Sequence, residues 1–590
     1  MSASLIAPAR RGTASGVIRR VVPWIFAVVA MLAVLAAHFF AARYSTMPVY
    51  WEDETGYLSN ALVMSGGHAP SLGGGSYYIG WSLLLTPLWW ISSDPAVVYR
   101  IAVLLSATVG AAVTLPLALI ARRLGVATPW AILLGAVVAI APSRVVMSNF
   151  VLSENFLTFL VAFAAWAALR YHSRPTIGRA AVLGALSSWV FLTHGRATPL
   201  LIATCLWFLL SIRRARWRAI VGLATAILPS VAGFLVYRVL SAEMYSSTIN
   251  REGEGLDRLF TPDISSLLQA ATGQVWYSTV TWFGLALIGA ILLGGRFWRE
   301  LRRRRPGIGT WGAISLVGVL IVSTTFIADP IARGVHRYDL LSYGRYLDPF
   351  TTVIALVGIA AIWHRLSKKL SLAVVVIVAV IGAVQVLVLM PLLPTGDNRW
   401  WAPITNAGLL QYPWPNVTAA TGPPYLVASV AALAAVIVIF LLRKWPLVIV
   451  VLFAAVLATS SYVAEKTTVR PFFAHFYQDF TLRTTLQAYA GDPISFDVGG
   501  LGDQTAQGTK ADTVSRNAYQ FWLSGKDVPV FSSDTSAPPT ELVISRKDWS
   551  LASGLGARLI AVDSDSFDNA LWVLPGALQD RLASEGKLLN

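Results

Sequence analysis

The apolar residues of this chain come in long blocks, and block length predicts the elements. A helix needs about 20 mostly apolar residues to cross about 30 Å of hydrocarbon. Runs of that kind predict about thirteen spans: Val21–Ala42, Ala96–Ala121, Pro129–Ala141, Leu152–Tyr171, Ala180–Thr193, Thr198–Ile212, Trp217–Leu240, Trp276–Gly294, Trp311–Ala328, Arg345–Trp363, Leu370–Leu393, Tyr425–Leu442 and Pro446–Val463. One further apolar stretch, Ile79–Ile91, is too short to span and carries Trp81, Trp89 and Trp90. It reads as an interfacial or re-entrant helix, since Trp favours the headgroup region.

Past about Ala464 the pattern changes to short apolar runs among polar and acidic residues. A helix is predicted over Phe476–Tyr489. Short strands are predicted over Ile494–Val498, Val528–Phe531, Glu541–Ile544, Arg558–Val562 and Leu571–Leu574, and a last helix over Gly576–Glu585. Mixed strands and helices of this length make a small α/β unit. The expected organisation is therefore a basic N-terminus over 1–20, a polytopic α-helical membrane domain over 21–463, and a C-terminal α/β domain over 464–590.

Composition agrees. The chain is 56% hydrophobic and 13% charged, against about a quarter charged in soluble chains. The net charge of +16 does not point to nucleic acid, because the basic residues sit in short clusters between the apolar blocks. Arg122-Arg123, the cluster from Arg213 to Arg218, the run from Arg296 to Arg305 and Arg443-Lys444 all fall on one side if the spans alternate. Under the positive-inside rule that side is cytoplasmic, which puts the N-terminus inside and the C-terminal domain outside. Glu300 is the one acidic residue before the last domain that falls inside. The lone cysteine, Cys205, excludes an internal disulfide. Ala-rich composition with Arg over Lys points to a GC-rich bacterial host and a plasma-membrane location.

The chemistry lies in the outside loops. Glu52-Asp53-Glu54 directly follows the first span, and crowded carboxylates near lipid resist simultaneous ionisation, so at least one is expected to titrate high and serve as a base. The spacing of Tyr57, Leu58, Ala61 and Leu62 predicts a short amphipathic helix holding them at the interface. Outside arginines include Arg196, Arg333, Arg337, Arg345 and Arg399, and Arg suits bidentate phosphate contact. Arg345 opens an apolar span, where it is either a phosphate ligand flanked by His336 and Arg337 or an anchor paired with Asp348. His194-Gly195-Arg196 at the outer face is either a phosphate or sugar contact or simple turn chemistry. Arg399 and Trp400 can stack on a sugar or anchor the loop at the interface. No histidines have metal-ligand spacing with a third ligand, and no Gly-rich loop sits at a strand–helix junction as a nucleotide site requires.

Asp53-Glu54-Thr55-Gly56-Tyr57 after the first span resembles the first-loop acidic motif of the GT-C superfamily of membrane glycosyltransferases. The apolar Tyr78-Ile79-Gly80-Trp81-Ser82-Leu83-Leu84-Leu85, Ser153-Glu154-Asn155 at the fourth span and Gly344-Arg345-Tyr346-Leu347-Asp348-Pro349 resemble, in the same order, elements of the protein O-mannosyltransferase and aminoarabinose transferase group. The resemblance implies a polyprenyl-phosphate-linked sugar donor and inverting transfer with no required cofactor, divalent-metal dependence being left open. It implies Asp53 as base, with Glu54 and Glu154 positioning donor or acceptor. Tyr57, His336, Arg399 and Trp400 are the candidate substrate contacts, and Arg345, Arg337, Arg196 and His194 the candidate phosphate contacts. The chain departs from the aminoarabinose subfamily. No Glu-Lys-Pro element follows the first motif, and the outside loops before the last domain hold no Lys. The acceptor, whether glycan, lipid or protein, stays open. The alternative is a transporter or lipid flippase. Its usual signs are related halves and ionisable residues at the midplane. Here no half-to-half similarity is visible, and charges gather at span ends.

Overall fold

A computed structural model describes residues 14–245, 263–393, 402–412, 424–498, 516–563 and 568–589, without the side chains of 14–20 and 475–479. Each of the thirteen predicted apolar blocks is helical. Among the described residues eight helices are long and apolar enough to cross a membrane, or up to ten if each of two bent pairs is one span. Ile177–Thr193, Gly195–Ser211 and Asp348–Trp363 are shorter apolar helices, as is Ile79–Ile91.

Two predicted spans are broken. The block expected over Pro129–Ala141 runs as Thr128–Ala139 and then turns 73° into Pro142–Asn149. The block expected over Trp276–Gly294 is two helices, Ile264–Thr281 and Leu285–Arg302, at 114°. The bend falls at Phe283 (φ 47°) and Gly284 (φ 83°). Two successive residues in the left-handed region reverse the chain, and glycine takes that conformation at little cost. Hydropathy does not register φ, so the run reads as one span.

Glu300, the acidic residue on the basic side, accepts from the backbone N–H groups of Gly307 (3.0 Å), Gly309 (3.1 Å) and Thr310 (2.8 Å) and from Arg296 Nε (2.9 Å). It satisfies the orphan donors at the start of helix Ile308–Ala332. Its place is set by this cap rather than by topology.

The last span continues from Pro446 to Ala474. The helix predicted over Phe476–Tyr489 is split into Arg470–Asp479 and Leu482–Ala488. Five strands follow: β1 (Ile494–Asp497), β2 (Val530–Phe531), β3 (Leu542–Arg546), β4 (Arg558–Val562) and β5 (Asn569–Val573). Their order is β2-β1-β3-β5-β4. β1 pairs parallel with β2 and β3, and β5 pairs antiparallel with β3 and β4. A helix over 516–522, which the hydropathy pattern does not reveal, packs this unit onto the first outside loop. Phe521 meets Trp89 and Tyr99, each with ring centroids 6.4 Å away.

Candidate active site

The acidic triplet sits where the first span hands over to helix Asp53–Met64, with Asp53 and Glu54 in the first turn. Carboxylates there are favoured by the helix dipole. Every residue from Glu54 to Ala61 is buried and Leu62 is half-buried, so this helix is packed all round and is not the amphipathic interfacial helix that the spacing of Tyr57, Leu58, Ala61 and Leu62 predicts.

The two neighbouring acids have different surroundings. Glu54 is fully buried. One oxygen accepts from the N–H groups of Val49 (2.8 Å) and Tyr50 (2.9 Å), the other from Tyr99 Oη (2.9 Å) and Val151 N (2.9 Å). Burial pushes its carboxyl up to about 7, while the four donors pull it back. Four donors and no acceptor are the surroundings of an ionised carboxylate, so the rise expected from crowding falls on Glu54 and comes from burial. This geometry makes Glu54 a tie between the loop, the helix at Tyr99 and the chain at Val151. Glu54→Gln puts an N–H₂ against donors. The expected result is a loss of about 1–3 kcal/mol of stability for each orphaned donor, read as a lowered Tm in detergent.

Asp53 is 21% exposed at its side chain. Its Oδ2 lies 2.7 Å from Arg345 Nη1, and its Oδ1 accepts from Tyr77 Oη at 2.5 Å. Arg345 also donates through Nε to Glu154 Oε1. One guanidinium therefore joins the first acidic motif to the acidic position of helix Glu154–Ser173 across 191 residues of sequence. Among the described residues the buried Glu154 Oε2 has no hydrogen-bond partner. Tyr57 lies beside them, its hydroxyl 2.9 Å from Ser153 Oγ.

Arg345 and Glu154 line a narrow cleft with His194, Arg196, Tyr346 and Phe350. The Arg196 guanidinium lies over the Tyr346 ring at 3.2 Å and over Phe326 at 4.5 Å. Its Nη1 is 3.5 Å from His194 Nε2. No carboxylate pairs with Arg196 among the described residues. The cleft thus presents two guanidiniums and an imidazole beside apolar walls. Such a set suits a phosphate carried on an apolar chain.

The remaining predicted residues lie elsewhere. Arg337 makes a bidentate pair with Asp339 (2.8 and 2.5 Å), which also holds Thr405 Oγ1, and it does not line the cleft. His336 is exposed. Arg399 and Trp400 fall outside the described residues. Asp348 is not the partner of Arg345. It lies 3.7 Å from Arg144 Nη2 and accepts from Tyr277 Oη at 3.0 Å. Arg144 is fully buried at the bend after Ala139. The one cue to it in sequence is a single Arg inside an otherwise uncharged stretch between two spans, a place where a charge is costly without a partner. Among the described residues no three His, Cys, Asp or Glu side chains converge as a metal site.

These features define a multi-pass membrane protein whose fold is similar to that of a solved membrane protein. The chain superposes on ArnT from Cupriavidus metallidurans bound to undecaprenyl phosphate with a TM-score of 0.50. The match is at 16% identity over 95% of this chain and 99% of that one. More distant likeness extends to the oligosaccharyltransferase AglB of Archaeoglobus fulgidus (TM-score 0.40, 12% identity, 89% of this chain and 62% of that one). It extends also to the arabinosyltransferase EmbB of Mycobacterium smegmatis (TM-score 0.40, 14% identity, 78% and 42%). No family profile and no curated protein matches the sequence.

Proposed function

We propose that this protein is an integral membrane glycosyltransferase of the plasma membrane. It moves a sugar from a polyprenyl-phosphate donor to a cell-envelope acceptor on the extracytoplasmic face. The observation that carries this reading is the join made by Arg345. A partly exposed carboxylate, Asp53, sits one guanidinium away from a cleft whose other cation, Arg196, has no counter-charge among the described residues. The fold shared with ArnT, which binds undecaprenyl phosphate, supports the same reading. With the N-terminus inside and an odd number of crossings, the cleft and the C-terminal sheet face outward.

In this reading the donor enters from the outer leaflet, with its phosphate on Arg196 and Arg345. Asp53 takes the proton of the acceptor hydroxyl as the acceptor oxygen bonds to the anomeric carbon. The bond from that carbon to the phosphate oxygen breaks on the opposite face, and polyprenyl phosphate leaves with the electron pair. The anomeric configuration inverts. Glu54 holds the base's helix turn, and Glu154 orients Arg345.

The test is turnover of a panel of synthetic polyprenyl-phosphate sugars by the purified protein, with cell-envelope extract as acceptor and release of polyprenyl phosphate as readout. Wild type is expected to turn over one donor. Arg196→Ala is expected to raise its KM about tenfold or more, the worth of one charge-assisted contact. Passage of an intact donor across vesicles without sugar release would favour the flippase reading instead.

A further inference from the structure

The first outside loop contains Gly73-Gly74-Gly75, a run that reads in sequence as a flexible linker. Three consecutive glycines have the most backbone freedom to lose, yet this segment is held at almost every residue. Leu72 N donates to Met244 O at 2.6 Å. Ser76 Oγ lies 2.7 Å from Tyr237 Oη. Gly75 N donates to Glu52 Oε1 at 3.0 Å. Gly74 has φ 90°, and a Cβ there would come within 2.7 Å of Glu52 Cγ. Tyr77, at the end of the run, donates to Asp53.

The other end is held by the C-terminal unit. Asn517 is 1% exposed. Its Oδ1 accepts from Gly73 N and its Nδ2 donates to Gly73 O, both at 2.9 Å. Its amide thus pairs with both backbone groups of one residue, as a neighbouring strand does. Arg516 Nη2 donates to Ser71 O at 2.7 Å, and Asp527 Oδ1 accepts from Ser71 N at 3.3 Å. Asp527 is fixed in turn by Gln520 Nε2 at 3.1 Å.

We infer that Asn517 is a positioning residue for Asp53, acting through the glycine segment 73–75 to hold the Tyr77 hydroxyl against the carboxylate. The inference rests on the reading of Asp53 as the base. It gives the C-terminal unit a task in the membrane site: without the Gly73 clamp, the nearest remaining contacts from that unit are at Ser71, and the glycine run samples conformations that withdraw Tyr77. Tyr77 Oη and the Arg345 guanidinium then no longer meet Asp53 together, and the carboxylate loses its fixed direction toward the acceptor.

The experiment is a double-mutant cycle in the full-length protein, Asn517→Ala against Tyr77→Phe, with kcat and donor KM measured separately. Removing one hydrogen bond to a charged group is worth about tenfold or more, so each single variant is expected to lose about that factor in kcat. Donor KM should stay within about twofold, because the cleft cations are untouched. Residues acting through one another do not add; the double variant is therefore expected to match Tyr77→Phe alone. Losses that multiply, or an Asn517→Ala variant at the wild-type rate, overturn the inference.

Amide hydrogen exchange supplies a readout that needs no donor. Asn517→Ala is expected to speed exchange at Gly75, whose N–H is bonded to Glu52 and not to Asn517, by about tenfold. Faster exchange at Gly73 alone means a local contact only and overturns the inference, whatever the transfer assay gives. A wild type that transfers no sugar while Gly75 exchange responds overturns the proposed function and leaves the clamp. If Asn517→Ala does not fold, Arg516→Lys, which withdraws the Nη2 contact from Ser71 and keeps the charge, carries the same expectations.

Discussion

Asp53→Asn is expected to lower the rate of sugar transfer by about two to four orders of magnitude, the usual contribution of a positioned general base. Tm should change little. The substitution keeps size and shape, and Oδ1 can still accept from Tyr77. Arg345 keeps its bond to Glu154. The 21% exposure of Asp53 also lets water take up what the lost charge leaves. The informative comparison is with Glu54→Gln one residue away. Glu54 is buried and holds four donors, so its loss shows in stability and in activity only through stability. Adjacent acids with opposite signatures, one kinetic and one thermodynamic, follow directly from their surroundings. Equal rates for wild type and Asp53→Asn would leave the enzyme class standing and remove the base assignment.

Much of this organisation can be read from the chain because its causes are local. Apolar block length gives the helical blocks of the membrane part. Ile79–Ile91 appears at its predicted ends, since its length and Trp content are set within thirteen residues. β4 matches its predicted bounds, and the other strands fall within a few residues of theirs. What sequence does not give is what depends on φ or on distant contacts. The bend at Phe283-Gly284 is one such case. The choice of partner for Arg345 is another: Asp348 is three residues away, yet Arg144 is its nearest cation, while Arg345 reaches Asp53 and Glu154. Tyr77 and Asn517 carry no charge and belong to no pattern, so nothing in the string marks them as neighbours of the acidic motif. Glu54 shows the converse. Its motif is legible, but burial separates its surroundings from those of Asp53, and burial is a property of the fold.

The Arg345 cluster makes the second large prediction. Asp53 and Glu154 share one guanidinium, so Arg345→Met leaves two carboxylates facing each other without a counter-charge, one of them 3% exposed. Removing one partner of a buried ion pair costs about 3–5 kcal/mol, and Arg345→Met is expected to lower Tm accordingly and to abolish transfer. The loss of activity alone would not separate a phosphate ligand from a structural cation. The triple variant Asp53→Asn/Glu154→Gln/Arg345→Met does separate stability from chemistry. With all three charges gone no buried charge is unpaired, and neutral replacement of buried ion clusters is often without cost. Its Tm is expected to return most of the way to wild type while transfer stays undetectable. Arg345→Lys isolates the ligand role: the ammonium keeps the charge for Glu154 and Asp53 but lacks the planar fork that meets two carboxylates and a phosphate at once. A folded Arg345→Lys protein is therefore expected to lose about a hundredfold in kcat/KM for the donor. A Lys variant with wild-type kcat/KM would mean that Arg345 supplies charge to its two acids and nothing to the phosphate, leaving Arg196 as the cation that meets the donor.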